Sequence, residues 1–369
     1  MPSWAWILLS LVALGAAAWA HLRFWTRRYT RPFMPDEVLD VVTTDAVRLA
    51  VARLRPRADG PAQGAPVVCW HGVACNSRTF DFEPGRSLGR YLAELGFDVY
   101  LVDLRGGGSS ERSRRGRFGF FDYVDKDVPA VLAAVRARTG ARRVLWVGHS
   151  MGGLIGYEHL AQETGDEDLA ALVALGSPLN LGESRVELRF LSRLLPVLRL
   201  LMPVVPLSVV TRFLSPFAGR WRGYPESVFL NPVHTPGDVV RHFMVEVLED
   251  VPRRVLEELA TRLLRDRSVD GRPLSVVRER LSRTTVPTLV VSGAADGVAP
   301  LRACDVSAQR VDREHTAIVL SRAQGAPFDF GHLDLIVGDA APKQVFAPVA
   351  AFLLAWAAQC QTPRPASGP

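Results

Sequence analysis

Residues 144–153 have the sequence VLWVGHSMGG, and this stretch decides the fold predicted for the chain. Its first four residues are apolar and indicate a buried strand, and residues 153–162 are typical of a helix. A G-x-S-x-G pattern between a strand and a helix predicts a sharp turn that presents the serine hydroxyl at a helix N-terminus. The glycines fit because this strained turn leaves no room for a Cβ beside the serine. The stretch therefore predicts Ser150 as the nucleophile of an acyl-transfer reaction.

Strand-like and helix-like segments alternate on both sides of this turn. The predicted strands lie at 37–55 (two paired strands), 66–70, 98–104, 143–147 and 169–175, and the predicted helices at 85–95 and 122–138. Such alternation favours a mostly parallel, doubly wound α/β sheet.

The alternation stops after Pro178 and resumes at Pro287. The intervening residues lack strand signals and are interrupted by prolines, which favours a helical cap inserted into the sheet domain. The expected units are an N-terminal membrane anchor at 1–31, a first core part at 37–178, a cap at 179–284, a second core part at 285–360 and a disordered tail at 361–369.

Two later residues complete a catalytic arrangement in the chain order serine, acid, histidine. Asp296 follows the apolar strand 287–291 in a turn of small residues, and we expect it to orient the base. His332 lies between the last strand and the last helix, and we expect it to take the proton of Ser150. The other acids considered for the role of Asp296 are less favourably placed: Asp305, Asp312 and Glu183.

Backbone N–H groups are expected to stabilise the oxyanion of the acyl-transfer intermediate. One should belong to Met151, directly after the nucleophile, and the second to Val73, in the loop that follows strand 66–70. Neither a metal site nor a cofactor is expected. The cysteines show no metal-binding or disulfide spacing and fit a reducing compartment: Cys69, Cys75, Cys304 and Cys360.

The N-terminal residues 4–25 are almost entirely apolar, and a membrane-spanning helix needs about 20 such residues. Aromatic residues at both ends match interfacial belts, and arginines follow the apolar stretch: Trp4, Trp6, Trp19, Trp25, Tyr29, Arg23, Arg27, Arg28 and Arg31. The positive-inside rule predicts a single span with the catalytic domain in the cytoplasm. The alternative is export after signal-peptide cleavage at an A-x-A site, Ala18 to Ala20, although no basic residue precedes the apolar stretch.

The chain carries a formal net charge of +6, almost all of its cations being arginine. No basic block interleaved with aromatics indicates a nucleic-acid surface. Residues 185–222 of the predicted cap are apolar and carry seven arginines against one acid, Glu187. This region is expected either to lie in a membrane interface or to pack over the active site, and both can hold. Either arrangement favours lipophilic substrates.

Several further motifs surround these residues. They are Trp70-His71-Gly72, Asn76-Ser77, Asp103 to Gly106, Phe121-Asp122, Asp127 to Ala130, Gly148 to Gly152, His332 to Gly338 and Ala341-Pro342. With them the chain resembles the α/β-hydrolase superfamily over residues 37–358, except for most of the cap. It is similar to the acid lipase and steryl ester hydrolase group, with some likeness to polyhydroxyalkanoate synthases, which use cysteine as nucleophile. The resemblance implies a triad of Ser150, Asp296 and His332 and no cofactor.

The expected protein is a membrane-anchored α/β-hydrolase that cleaves small-molecule lipophilic esters of carboxylic acids. An acyltransferase or a thioesterase could use the same triad, and a non-catalytic binding protein could share the fold. The oligomeric state is left open.

Overall fold

The computed structural model describes residues 3–57, 60–112, 117–179, 203–220, 223–264, 274–304 and 315–361. Residues 185–202 and 221–222 of the predicted basic apolar region lie outside these residues, and residues 203–220 lie within them. In the described ranges the strands are β1 Glu37–Val42, β2 Arg48–Leu54, β3 Pro66–Trp70, β4 Asp98–Val102, β5 Val144–His149, β6 Leu169–Leu175, β7 Val204–Val205, β8 Val251–Pro252, β9 Thr288–Gly293 and β10 His315–Leu320.

The α-helices in the same ranges are α1 Ser3–Arg28, α2 Leu88–Glu94, α3 Phe120–Asp122, α4 Val128–Thr139, α5 Met151–Leu160, α6 Gly165–Asp168, α7 Leu207–Leu214, α8 Gly237–Glu246, α9 Arg253–Leu264, α10 Leu274–Arg283, α11 Leu301–Cys304, α12 Asp334–Val337 and α13 Ala347–Trp356. Wider π-helical turns at Tyr123–Asp127 and Pro342–Phe346 lead into α4 and α13. The predicted helix at 122–138 is therefore continuous from residue 120 to residue 139.

Eight strands form one sheet in the order β1-β2-β4-β3-β5-β6-β9-β10. β1 and β2 are antiparallel to their neighbours, and the remaining strands run parallel. All residues of β3, β5 and β6 are buried, which is typical of parallel strands covered on both faces. Trp70 and Trp146 stack face to face on neighbouring strands, 4.5 Å apart. The predicted mostly parallel sheet is confirmed, and the turn after β5 lies at the carboxyl edge of its centre.

A two-residue strand pair between β6 and β9 differs from the prediction that this region lacks strands. Val204 and Val205 of β7 pair antiparallel with Pro252 and Val251 of β8. A strand of two residues is too short to produce an alternating pattern that sequence reasoning can detect. The other described elements between β6 and β9 are helices and turns.

Helix α1 has 26 residues and rises about 39 Å along its axis, more than the roughly 30 Å of a hydrocarbon core. Its residues 4–28 are long and apolar enough to cross a membrane. Its C-terminal end is joined to the body by polar contacts. The Arg31 guanidinium pairs with Glu83 and, at 2.8 Å, with Glu246 at the end of α8, while the His242 imidazole lies 2.9 Å from the Tyr29 carbonyl.

Candidate active site

The turn after β5 holds Ser150 in a backbone conformation that non-glycine residues rarely adopt. Its φ is +54° and its ψ is −118°, and the cost of this strain is on the order of 1–3 kcal/mol. A Cβ at Gly148 would overlap backbone atoms of Gly152 and Gly153. A Cβ at Gly152 would overlap the Trp70 carbonyl. The sharp turn therefore requires glycine on both sides of the serine, as the sequence pattern indicated.

Two neighbouring contacts fix Ser150 beside the sheet edge. Its backbone N–H donates to the Leu175 carbonyl at 2.8 Å, linking the turn to the end of β6. A Cβ at Gly72 would lie 3.1 Å from the Ser150 Cβ, so the loop after β3 approaches the serine closely. Ser150 is 7% exposed and stands at the N-terminus of the ten-residue helix α5.

His332 and Asp296 form a buried hydrogen-bonded pair. The Asp296 Oδ2 lies 2.7 Å from the His332 Nδ1, and both side chains are almost inaccessible. The Asp296 Oδ1 accepts hydrogen bonds from the backbone N–H groups of Val298 and Ala299, at 2.8 and 2.7 Å. Because the carboxylate is an acceptor only, it fixes the proton on Nδ1 and leaves Nε2 as the ring nitrogen that can take up a proton.

Two residues place this pair next to the serine. A Cβ at Gly176, which follows the Leu175 acceptor, would lie 3.1 Å from the His332 Nδ1 and 3.3 Å from the Asp296 Oδ2. His149, directly before the serine, stacks obliquely on His332 with ring centroids 4.7 Å apart. The structure therefore brings all three predicted side chains to one region of the sheet edge.

His149 makes a contact that sequence reasoning did not find. Its Nε2 donates to the His332 backbone carbonyl at 3.2 Å. Complete burial holds the pKa of His149 well below its ordinary value of 6.5, so the ring is neutral and keeps this donor. In the sequence His149 is only a variable position of the turn motif, and no signal there links it to a loop 183 residues away.

Val73 and Met151, the predicted oxyanion donors, both line a pocket directly beside the turn that holds Ser150. Met151 is the first residue of α5, so no carbonyl within its own helix can accept its N–H. The loop that contains Val73 is held by His71, whose Nδ1 donates to the Gly72 carbonyl at 2.8 Å and whose Nε2 accepts from the Leu104 N–H at 3.2 Å. Burial lowers the pKa of His71 to about 4, which keeps the ring neutral and both bonds intact.

The pocket beside these N–H groups is lined by both apolar and acidic side chains. Apolar and aromatic lining comes from Leu104, Tyr123, Val251, Pro252 and Val255, and two acids, Glu249 and Asp250, also line it. The Glu249 carboxylate accepts hydrogen bonds from the amide of Asn76 and the guanidinium of Arg112, each at 3.0 Å. β8 and α9, both between β6 and β9 in the chain, therefore form one wall of the pocket.

Other acids near the site have structural contacts. The Asp334 carboxylate is fully buried, accepts the backbone N–H groups of Gly331 and Asn231 at 2.7 Å, and its pKa is raised by burial. It therefore braces the loop that carries His332. Asp103 likewise accepts from the N–H groups of Ser77 and Ser109 and shapes the glycine turn at 106–108. The alternative acids Asp305, Asp312 and Glu183 lie outside the described residues.

Comparison with known proteins gives the same fold and points to lipases. Residues 65–199 match the family described as alpha/beta hydrolase fold. The chain is 26% identical over 182 residues to the lipase lipl-1 of Caenorhabditis elegans, covering 44% of this chain and 45% of the relative. It is 30% identical over 135 residues to the gastric triacylglycerol lipase of Bos taurus, covering 33% and 34%. The chain thus spans less than half the length of these curated relatives.

Solved structures resemble a larger share of the chain than the sequence relatives do. An esterase of Exiguobacterium antarcticum has a TM-score of 0.57 and 19% identity, covering 88% of this chain and all of that one. A membrane phospholipase A described as a bacterial virulence factor has a TM-score of 0.55 and 19% identity, covering 95% and 96%. At these identities the likeness shows the fold. Together with the sheet order, the turn at Ser150 and the sequence matches, these findings show that the chain has the α/β-hydrolase fold and that part of it is similar in sequence to lipases.

Proposed function

We propose that the protein is a serine hydrolase that cleaves lipophilic carboxylic esters through an acyl-enzyme. One observation carries the proposal. A strained serine at a helix N-terminus stands beside a histidine whose Nδ1 is held by a buried carboxylate at 2.7 Å. A serine, a histidine and a carboxylate are the residue types that acyl transfer uses as nucleophile, general base and the group that orients the base. The lipases among the sequence relatives support the same reaction class.

In the first half of the reaction the Ser150 Oγ attacks the ester carbonyl carbon while the His332 Nε2 takes its proton. The negative charge on the former carbonyl oxygen is stabilised by the N–H groups of Met151 and Val73 and by the N-terminus of α5. The tetrahedral intermediate collapses when the bond to the alcohol oxygen breaks. His332 then protonates the leaving alcohol, and the acyl group remains on Ser150.

In the second half, water gives a proton to His332 and its oxygen attacks the acyl carbon. The second tetrahedral intermediate expels the Ser150 Oγ, which recovers the proton, and the free acid leaves. Asp296 stays ionised throughout and stabilises the imidazolium that forms twice in the cycle. No step needs a metal or a cofactor.

The substrate class follows from the pocket beside the oxyanion donors. Leu104, Tyr123 and Val255 offer apolar surface next to Val73 and Met151, which suits the acyl or alcohol chain of a lipophilic ester. The apolar composition predicted for the cap supports the same class. The chain length of the ester is the quantity to be measured, with nitrophenyl esters of increasing acyl length.

The proposal includes a membrane location. α1 spans the bilayer once, and the arginines at its C-terminal end keep the catalytic domain in the cytoplasm. Carbonate extraction and intact-mass measurement test this: the expected protein stays with the membrane fraction and retains residues 1–20. A soluble chain that begins at residue 21 would show export after signal-peptide cleavage instead.

Replacement of the nucleophile tests the reaction itself. Ser150→Ala should lower kcat for a short nitrophenyl ester by on the order of 10⁴-fold or more, because no other group can form the acyl-enzyme. A matched control is Ser282→Ala, on α10, whose hydroxyl only caps its own helix. A fluorophosphonate probe should label the wild-type chain and the control, and not Ser150→Ala. Equal hydrolysis by all three proteins would overturn the proposal.

A further inference from the structure

Helix α7 has its polar side buried and its apolar side exposed. Ser208 and Thr211 are 3% and 7% exposed, and Ser215, one turn further along the chain, is fully buried. The opposite side carries large apolar side chains that are between 41% and 48% exposed: Val209, Val210, Phe213 and Leu214, with Phe217 in the 3-10 turn that follows. A helix on the surface of a water-soluble protein shows the reverse pattern, so the outer face of α7 is suited to an apolar environment.

This face lies at the end of the membrane-spanning helix. The His21 Nε2 lies 3.0 Å from the Phe213 carbonyl, and the His21 ring is 4.6 Å from the Phe213 ring. His21 stands between Trp19 and Trp25, aromatic residues of the kind found at the membrane–water interface. The Arg23 guanidinium lies over the Trp19 ring at 5.3 Å. α7 therefore meets α1 at the depth where the headgroups of a bilayer would be.

The same helix is joined directly to the pocket. The Ser208 N–H at its start donates to the Asp250 carboxylate at 3.0 Å, and Asp250 lines the pocket beside Val73 and Met151. The preceding residues Val204 and Val205 pair with β8, which also lines it. The inner side of α7 is thus bonded to one wall of the pocket, and its outer face lies on the far side of the same helix.

We infer that α7 lies in the headgroup region of the bilayer that α1 spans, with its apolar face in the lipid, and that substrate enters the pocket from this leaflet. The inference rests on the proposed membrane span and deepens the proposed ester hydrolysis by naming a membrane lipid ester as the substrate source. Continuity of the exposed apolar face with α1 selects a bilayer as the occupant. A second copy of the chain would have to cover the same face while avoiding the lipid around α1.

Site-specific fluorescence on the full chain tests the position of α7. The four native cysteines are buried, so a cysteine introduced on the surface takes up a small environment-sensitive dye preferentially. The three labelling sites are Val210→Cys on α7, Leu11→Cys within α1 and Val42→Cys on β1. Val42 is a matched valine that is 65% exposed and pairs across the strand with Arg48. Each labelled protein is reconstituted in phosphatidylcholine vesicles with or without lipids that carry an acyl-chain spin label.

Spin-labelled lipid should roughly halve the emission at positions 11 and 210, because both dyes reach the acyl chains, and leave position 42 almost unchanged. Quenching at 11 without quenching at 210 would overturn the inference and leave the span and the hydrolase proposal standing. Absence of quenching at 11 would overturn the span and the inference together. Self-quenching at 210 that disappears on dilution with unlabelled protein would identify a second copy as the occupant, which also overturns the inference.

A charge on the same face tests substrate entry. Val210→Asp should lower the ratio of hydrolysis of a long-chain ester in vesicles to hydrolysis of a water-soluble short ester by about tenfold, because the carboxylate resists insertion into lipid. Val42→Asp should leave this ratio unchanged. An unchanged ratio in Val210→Asp would overturn entry of substrate from the lipid, even if the fluorescence places α7 in the bilayer. If the wild-type protein hydrolyses neither the long-chain nor the short ester, the proposed hydrolase activity itself is wrong.

Discussion

Helices α5 and α7 show opposite relations between polarity and burial. Every residue of α5 is buried, and its glutamate, Glu158, pairs with the fully buried guanidinium of Arg262. α7 buries serine and threonine and exposes valine, leucine and phenylalanine. α5 forms part of a buried protein interior beside Ser150, whereas the outer face of α7 is suited to contact with lipid.

The difference has a consequence for substitution. Around α5 atoms are packed so closely that small changes in volume or charge have to be accommodated by the backbone. On the outer face of α7 the valine side chains are nearly half exposed, so we expect substitutions there to act on binding to lipid more than on folding. Substitutions in and around the buried site at α5 should therefore have larger effects on activity and folding than substitutions on the outer face of α7.

Asp296→Asn should lower kcat by about 10⁴-fold, because the amide can donate to His332 and favour the wrong ring tautomer. The fold should persist, since the Asn carbonyl can still accept from the N–H groups of Val298 and Ala299. Kinetics with a short soluble ester and thermal unfolding in detergent measure the two effects. A kcat within tenfold of wild type would remove Asp296 from the proposed triad.

Gly152→Ala should destabilise the fold by about 3 kcal/mol, the upper end of the usual cost of overpacking. The added Cβ would overlap the Trp70 carbonyl, a backbone atom of the central sheet that cannot move aside. The control is Gly223→Ala, where a Cβ meets no atom within 4 Å. Equal unfolding free energies of the two variants would contradict the close packing described around α5.

Mild acid should destabilise the region around Ser150. The folded chain keeps His71 neutral down to about pH 4, whereas the unfolded chain protonates it near its ordinary pKa of 6.5. The unfolded state therefore binds more protons between these values, so the free energy of unfolding falls as the pH falls. His71 alone should account for about 1 kcal/mol between pH 7.5 and pH 5.5.

Denaturant unfolding at the two pH values measures this loss. His71→Asn removes the titrating group while keeping a hydrogen-bonding side chain, so its pH dependence should be shallower than that of the wild type. His149, also buried and neutral, should retain part of the dependence. An unchanged slope in His71→Asn would show that the acid sensitivity arises elsewhere.

Val210→Ser should change the free energy of unfolding by less than about 0.5 kcal/mol, as is usual for exposed positions. The matched change on the other helix is Ile155→Ser, at a fully buried side chain, and it should be strongly destabilising. Unfolding in detergent compares the two. A large decrease in the free energy of unfolding for Val210→Ser would mean that the outer face of α7 is packed against protein. The two helices would then not differ in the way described.

Much of the catalytic core was predictable because parallel strands bring distant residues together by topology. Ser150, Asp296 and His332 follow different strands, and the carboxyl ends of parallel strands meet at one edge of the sheet. Their order along the chain was therefore enough to place them together, although their catalytic roles stay predictions. The need for glycine in the turn was equally predictable from the sequence, because a Cβ at these positions would overlap neighbouring backbone atoms.

Other features could not be predicted, because they depend on pairs of residues with no local pattern. The bond from His149 to the His332 carbonyl joins two loops only in the folded chain. β7 and β8 are too short for a periodic signal. The apolar residues of the predicted cap were evident from the sequence. The orientation of α7 was not, because it depends on hydrogen bonds to Asp250 and Val245, which are distant in the chain.

The junction at Arg31 determines how far the catalytic body can reach. Eight residues separate α1 from β1, and a free coil of that length would allow excursions of about 15 Å. Here Tyr29 and Arg31 are bonded to α8 instead, so these contacts hold the body close to the end of α1. If α1 spans a bilayer as proposed, the body would meet the proposed ester substrate by lateral diffusion within that same membrane.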